Sequence, residues 1–124
     1  MIEEFIQYQE ALELKELGFD EPCFGYYENG VFVFCYDSKQ EVELLLNCTA
    51  PSFAQAFRWF RGNKILGLVN PIDDWNHWSF SILAEDCMSP FFEAFQGLEY
   101  STYEEAELAC LRKMIEITKH LKGI

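Results

Sequence analysis

The densest group of residues able to do chemistry is the run Asp73-Asp74-Trp75-Asn76-His77-Trp78. A carboxylate beside an imidazole orients the ring and stabilises its positive charge, which equips histidine as a general base near neutral pH. The pair the spacing offers for that task is Asp74 and His77. The same residues also make a polar turn leading into an amphipathic strand, because Asp and Asn serve turn geometry well. No serine or cysteine nucleophile motif and no glycine-rich oxyanion motif accompanies the run, so the sequence predicts no enzyme. A small enzyme using Asp74 and His77 is the alternative.

Other chemistries have weaker support. His77 and His120 are the only histidines and lie far apart, and the acids match no calcium loop, so no metal centre is expected. Gly62 and Gly67 lack the pattern of a phosphate-cradling loop, and no cofactor is expected. Cys23, Cys35, Cys48, Cys87 and Cys110 are scattered without a C-x-x-C pair. With an acidic start at Met1-Ile2-Glu3-Glu4 in place of a basic export signal, the expectation is a cytoplasmic chain with reduced, mostly buried thiols. No apolar run approaches the roughly 20 residues that span a bilayer.

Charge narrows the partners. The chain of 124 residues carries a net charge of −12, yet 17% of it is aromatic. Residues 1 to 49 hold a net of −9 and residues 71 to 124 a net of −6. Between them Arg58, Arg61 and Lys64 form a +3 island. Three cations beside Trp59 are a poor match for nucleic acid, since the rest of the chain repels phosphate. The candidate interaction patch is therefore Arg58, Trp59, Arg61, Trp75 and His77, with an unidentified protein partner or a second copy of the chain docking there. A further alternative comes from Glu3, Glu4, Glu10, Glu13, Glu16, Asp20 and Glu21. Carboxylates set where phosphates would be could mimic DNA and block a host DNA-binding protein, although charge runs are usually a solvated face.

The elements that must position these residues are legible from periodicity. A helix is predicted over Ile2 to Leu17, stopped by Gly18 in a Schellman cap and blocked by Asp20-Glu21-Pro22. Strands at Cys23 to Glu28 and Val31 to Tyr36 flank Asn29-Gly30, a strong two-residue hairpin signal. The unbroken apolar run of the second strand predicts a central position. A third strand is expected over Glu41 to Cys48. A second helix follows, with Thr49 as N-cap, Phe53, Ala56, Phe57 and Phe60 as its buried stripe, and an end at Gly62-Asn63. Strands at Ile65 to Val69 and Trp75 to Leu83 enclose a loop, and in the latter Trp78, Phe80 and Ile82 alternate with His77, Ser79 and Ser81. Ser89-Pro90 is expected to open a short helix through Phe91, Phe92 and Phe95. Thr102-Tyr103-Glu104-Glu105 reads as the capping box of a final helix whose inner face carries Tyr103, Ala106, Cys110, Met114, Ile117 and Leu121. The order predicts one α+β domain over residues 1–124. Its expected core is a mostly antiparallel sheet of about five strands, with N-terminal, central and C-terminal helices packed on it.

Three blocks recur together elsewhere. Glu16-Leu17-Gly18-Phe19-Asp20-Glu21-Pro22-Cys23, Thr49-Ala50-Pro51-Ser52-Phe53-Ala54-Gln55-Ala56-Phe57-Arg58-Trp59-Phe60-Arg61 and Tyr100-Ser101-Thr102-Tyr103-Glu104-Glu105-Ala106 resemble a group of small uncharacterised phage and prophage proteins of Bacteroidetes-type bacteria. The blocks span most of the chain. Many members of that group carry a longer polar insertion between the first hairpin and the second helix, where this chain is compact. The resemblance implies a mobile-element setting and a shared fold, without a chemistry. Taken with the missing catalytic motifs, it predicts a non-enzymatic accessory protein that acts through protein–protein contacts.

Overall fold

The computed structural model describes residues 4–39, 48–85, 90–94 and 99–123. The chain is α+β, with elements α1 (Tyr8–Glu16), β1 (Cys23–Glu28), β2 (Val31–Lys39), β3 (Cys48–Ala50), α2 (Phe53–Gly62), β4 (Ile65–Ile72), β5 (His77–Glu85), β6 (Pro90–Ala94) and α3 (Tyr103–Lys122). In place of one sheet of about five strands, the described strands form two three-stranded antiparallel sheets, ordered β2-β1-β3 and β4-β5-β6. Contacts divide the chain into two compact units, Met1–Ala56 and Phe57–Ile124, and α2 begins in the first and ends in the second.

In the first unit, Asn29 (φ 52°) and Gly30 (φ 81°) take the left-handed conformations of the predicted two-residue hairpin. That hairpin pairs Glu28 with Val31 and Tyr26 with Val33. Among the described strands β1 is the central one, bonded to β2 on one side and β3 on the other. The apolar run of β2 makes ring contacts. Phe32 lies 5.1 Å from Phe5 and 5.6 Å from Tyr27 between ring centroids, while Val31 and Phe34 stay exposed. Gly25 on β1 leaves room for the Phe32 ring, since a Cβ there would sit 2.6 Å from its edge.

The first helix starts at Tyr8 rather than near Ile2. Its first residues are drawn into strand-like pairing, with Phe5 bridged to Ser52 and the Ile6 amide donating to the Pro51 carbonyl at 3.0 Å. The predicted stop is present in full. Gly18 (φ 101°) is left-handed, its amide donates to Lys15, and the Phe19 amide donates to Leu14, which is the Schellman pair of bonds. Ile6, Ala11, Leu14 and Leu17 are buried, and α1 packs on β3. Thr49 does not cap α2, because it belongs to β3 opposite Tyr26. Ser52 takes that role through its hydroxyl, which accepts from the Gln55 amide at 3.1 Å. The strand expected over Glu41 to Cys48 lies outside the described residues but for Cys48.

In the second unit, α3 packs on β4 and β5. Ile65, Phe80, Ile82 and Ala84 are buried on the covered face, with Ala106, Cys110, Leu111 and Met114 of α3. Gly67 permits the close approach: a Cβ there would lie 2.7 Å from Met114 Sδ and 2.8 Å from Cys110 Sγ. Both strands outrun their predicted ends. β4 extends through Asn70 and Pro71 to Ile72, and β5 starts at His77, leaving Trp75 in the turn. Proline is tolerated in β4 because its partner Trp78 directs its own N–H and C=O to Tyr100, at 2.9 and 2.8 Å, so no bond to β4 is lost.

The short helix predicted after Ser89-Pro90 is instead strand β6, paired with β5 from Ser81↔Ala94 to Glu85↔Pro90. Adjacent Phe91 and Phe92 suit a strand, and pairing to β5 decides the matter. Phe95 lies outside the described residues. At the start of α3, Thr102 Oγ1 accepts from the Glu105 amide at 3.1 Å. The Glu105 carboxylate receives the Thr102 hydroxyl at 3.1 Å, a variation on the predicted reciprocal bond to the backbone. Leu121, expected on the inner face, is exposed, as is Tyr103.

Candidate functional site

The β4–β5 hairpin ends in a tight turn at Asp73-Asp74-Trp75-Asn76. The Asn76 amide donates to the Asp73 carbonyl at 3.0 Å, and Asp74 (φ 54°) and Trp75 (φ 72°) are both left-handed. These are the features of a type I′ turn, whose twist matches the flanking strands and whose second central position favours glycine. Asp73 (φ 50°) is left-handed as well, so three consecutive residues, none of them glycine, hold a conformation that costs L-residues energy. Trp75 is 69% exposed at this tip, the highest value among the exposed large apolar residues described.

Two devices gather side chains behind the turn. Pairing in β4–β5 puts His77 opposite Ile72, on the sheet face away from α3, while Trp78 opposite Pro71 shares the face with Phe80 and Ile82. The Trp78↔Tyr100 bridge then brings Glu99 beside His77 as a diagonal cross-strand neighbour. One ligand-type atom from each of Asp73, His77 and Glu99 falls within 4.8 Å of the others. On the opposite face, Trp75, Trp78 and Tyr103 form a ladder of edge-to-face rings, at centroid distances of 5.4 Å and 5.2 Å. Such geometry suits the positive edge and negative face of aromatic rings.

The carboxylate that meets His77 is Asp73, not the Asp74 expected from sequence. Its Oδ2 lies 3.6 Å from His77 Nδ1, close enough for charge interaction but too long for a hydrogen bond. His77 Nδ1 is shielded from solvent and has no hydrogen-bond partner, although the side chain as a whole is 44% exposed. Of the five patch residues, Trp75 and His77 come together at this hairpin tip. Arg58, Trp59 and Arg61 occupy α2, where both arginines are exposed and Trp59 packs edge-on against Phe60 at 5.0 Å. Glu99 and Tyr103 were missed as members of the cluster. Only the Trp78↔Tyr100 bridge places Glu99, and no local pattern announces a bridge between segments so far apart.

The acids considered for DNA mimicry are not one exposed set. Glu10 is buried at 3% exposure, Glu21 accepts from the Gln55 side-chain amide at 3.1 Å, and Glu3 lies outside the described residues. Cys23, Cys48 and Cys110 are buried free thiols; Cys35 and Cys87 lie where side chains are not described. Burial pushes Cys23 up to about 11 and Cys110 up to about 12, and raises Cys48. They behave as small apolar residues rather than nucleophiles. Burial likewise raises Glu107, with a Tyr103 hydrogen bond opposing the rise.

Among the described residues no helix is long and apolar enough to cross a membrane. Comparison of the chain with family models, with curated proteins and with solved structures finds no match. What defines the protein is therefore its own geometry: an α+β chain of two small antiparallel sheets, with an aromatic and acidic hairpin tip on the second.

Proposed function

We propose that this chain is a non-enzymatic accessory protein of a phage or other mobile element that acts in the cytoplasm through protein–protein contact, with the β4–β5 hairpin tip as its docking point. The observation that carries the reading is Trp75, 69% exposed at a left-handed turn position where glycine would be cheaper. Strained backbone holding a large ring in solvent is a recurrent mark of a functional site. Tryptophan is also the residue type most enriched among binding hot spots.

The chemistry of the partner follows from what surrounds the ring. Asp73 and Asp74 are exposed in the same turn, and the whole chain carries −12. A basic protein surface, with an arginine or lysine able to sit over the Trp75 face, complements that arrangement. A second copy of the chain would bring another −12 to the contact, so a foreign basic partner is favoured over a homodimer.

The test is affinity capture from host lysate with the wild-type chain and with Trp75→Gly, each washed at low and at high salt. The expected result is a basic protein that wild type retains, that salt releases, and that Trp75→Gly does not retain. Equal recovery by both chains refutes Trp75 as the anchor. Capture of no protein by the wild-type chain refutes the docking role.

A further inference from the structure

We propose that Asp73, His77 and Glu99 form a binding site for a divalent transition-metal ion of the zinc class. Three independent features of the fold converge on one spot. The type I′ turn sets Asp73 and His77 at i and i+4 with 3.6 Å between Oδ2 and Nδ1. The Trp78↔Tyr100 bridge delivers Glu99 from a distant part of the sequence, completing a set of ligand atoms all within 4.8 Å of one another. Finally, His77 Nδ1 faces this spot with no hydrogen-bond partner and no exposure to water, an arrangement that leaves a donor lone pair unused.

The spacing suits the ion. Zinc bonds to imidazole nitrogen and carboxylate oxygen at about 2.0–2.2 Å, which places tetrahedral ligands about 3.4 Å apart. The Asp73–His77 separation already meets that figure. Glu99 is exposed, so its side chain rotates freely to close the remaining gap. One nitrogen and two carboxylates make a borderline donor set, which favours zinc, cobalt or manganese over magnesium and calcium, the ions of all-oxygen sites. Three protein ligands leave at least one position for water or for a donor from another molecule. The site does not rest on the docking reading, since its ligands lie on the sheet face away from α3 and the ring ladder runs on the other.

The experiment titrates the reduced full-length chain with zinc by calorimetry and with cobalt by visible absorption. The comparison set is Asp73→Asn, His77→Gln and Glu99→Gln. All three side chains are partly or fully exposed, and circular dichroism checks that each variant folds as wild type. Wild type should bind one ion saturably, with cobalt d–d bands and no thiolate charge-transfer band. Each substitution should weaken binding by at least about tenfold, and acidification should weaken it too, because protons compete for the imidazole. Absence of saturable binding, binding unchanged by the substitutions, or a thiolate band marking a cysteine site would each overturn the proposal. Wild-type capture of a partner with no metal binding would leave the docking reading standing alone.

Discussion

Gly67→Ala is the sharpest probe of how α3 seats on its sheet. The added methyl carbon would lie 2.7 Å from Met114 Sδ and 2.8 Å from Cys110 Sγ, about an ångström inside ordinary contact distance. Overpacking of that kind costs about 1–3 kcal/mol. Replacing glycine returns roughly 0.4–1 kcal/mol by restricting the unfolded chain, so the net loss should fall between about 0 and 2.6 kcal/mol. Cys110→Ala, at a fully buried position, removes one of the two clashing sulfurs and alone should cost about 1 kcal/mol for the cavity it leaves. Together the two changes should compensate in part, because the new methyl loses its close contact with Cys110 and can shift into the space that sulfur leaves, away from Met114. The double variant should therefore be more stable than the sum of the singles implies by at least about 1 kcal/mol. Trp59, Trp75 and Trp78 all belong to the unit that contains α3, so urea unfolding followed by tryptophan fluorescence reports on the right part of the molecule. Additivity within about 0.5 kcal/mol would refute the close approach at Gly67.

Two further predictions concern stability. Thr102→Ala removes the hydroxyl that accepts from the Glu105 amide, and urea unfolding should show a loss of about 1 kcal/mol; no loss would mean the cap bond contributes nothing. The buried thiols set an alkaline limit. Cys23 is held at about 11 and Cys110 at about 12, both above the ordinary 9.0, so the folded chain keeps protons that the unfolded chain releases. Their contribution is intact below pH 9 and lost as pH rises towards 11–12, about 2–3 kcal/mol for Cys23 at 1.4 kcal/mol per unit. Unfolding midpoints measured from neutral pH upwards should fall less steeply in Cys23→Ala and Cys110→Ala, and identical slopes would refute the assignment.

What the sequence made legible was local. The Schellman stop at Gly18-Phe19, the Asn29-Gly30 hairpin and the Thr102 cap each depend on a few neighbouring residues, and each is present. What it hid was set by pairing at a distance. Ile2 to Gln7 has helical composition, yet Phe5 and Ile6 bond to Ser52 and Pro51 and delay the helix by two turns. The apolar run Val31 to Tyr36 announced a strand but not the partners of its rings, and Phe32 packs on Phe5 and Tyr27, each distant from it or on the neighbouring strand. Pro71 looked like a loop residue because its tolerance depends on Tyr100 taking the bonds of Trp78. The site follows the same rule. Asp73, Asp74, Trp75 and His77 were visible as a run, whereas Glu99 and Tyr103 enter only through the bridge at Tyr100 and the ring contact with Trp78.

The turn that carries Trp75 bears on why a tryptophan stands there. Asp74 followed by glycine would be a preferred pair for a type I′ turn, and tryptophan instead accepts a left-handed backbone at a cost of about 1–2 kcal/mol. Its edge-to-face contact with Trp78 returns roughly 0.5–1.5 kcal/mol, so the fold gains little or nothing from the ring. Stability alone therefore does not account for the residue, and Trp75→Gly should leave the unfolding midpoint level or raised. A variant that is no less stable yet fails to dock separates the two roles as no disruptive substitution could, since loss of capture cannot then be ascribed to unfolding.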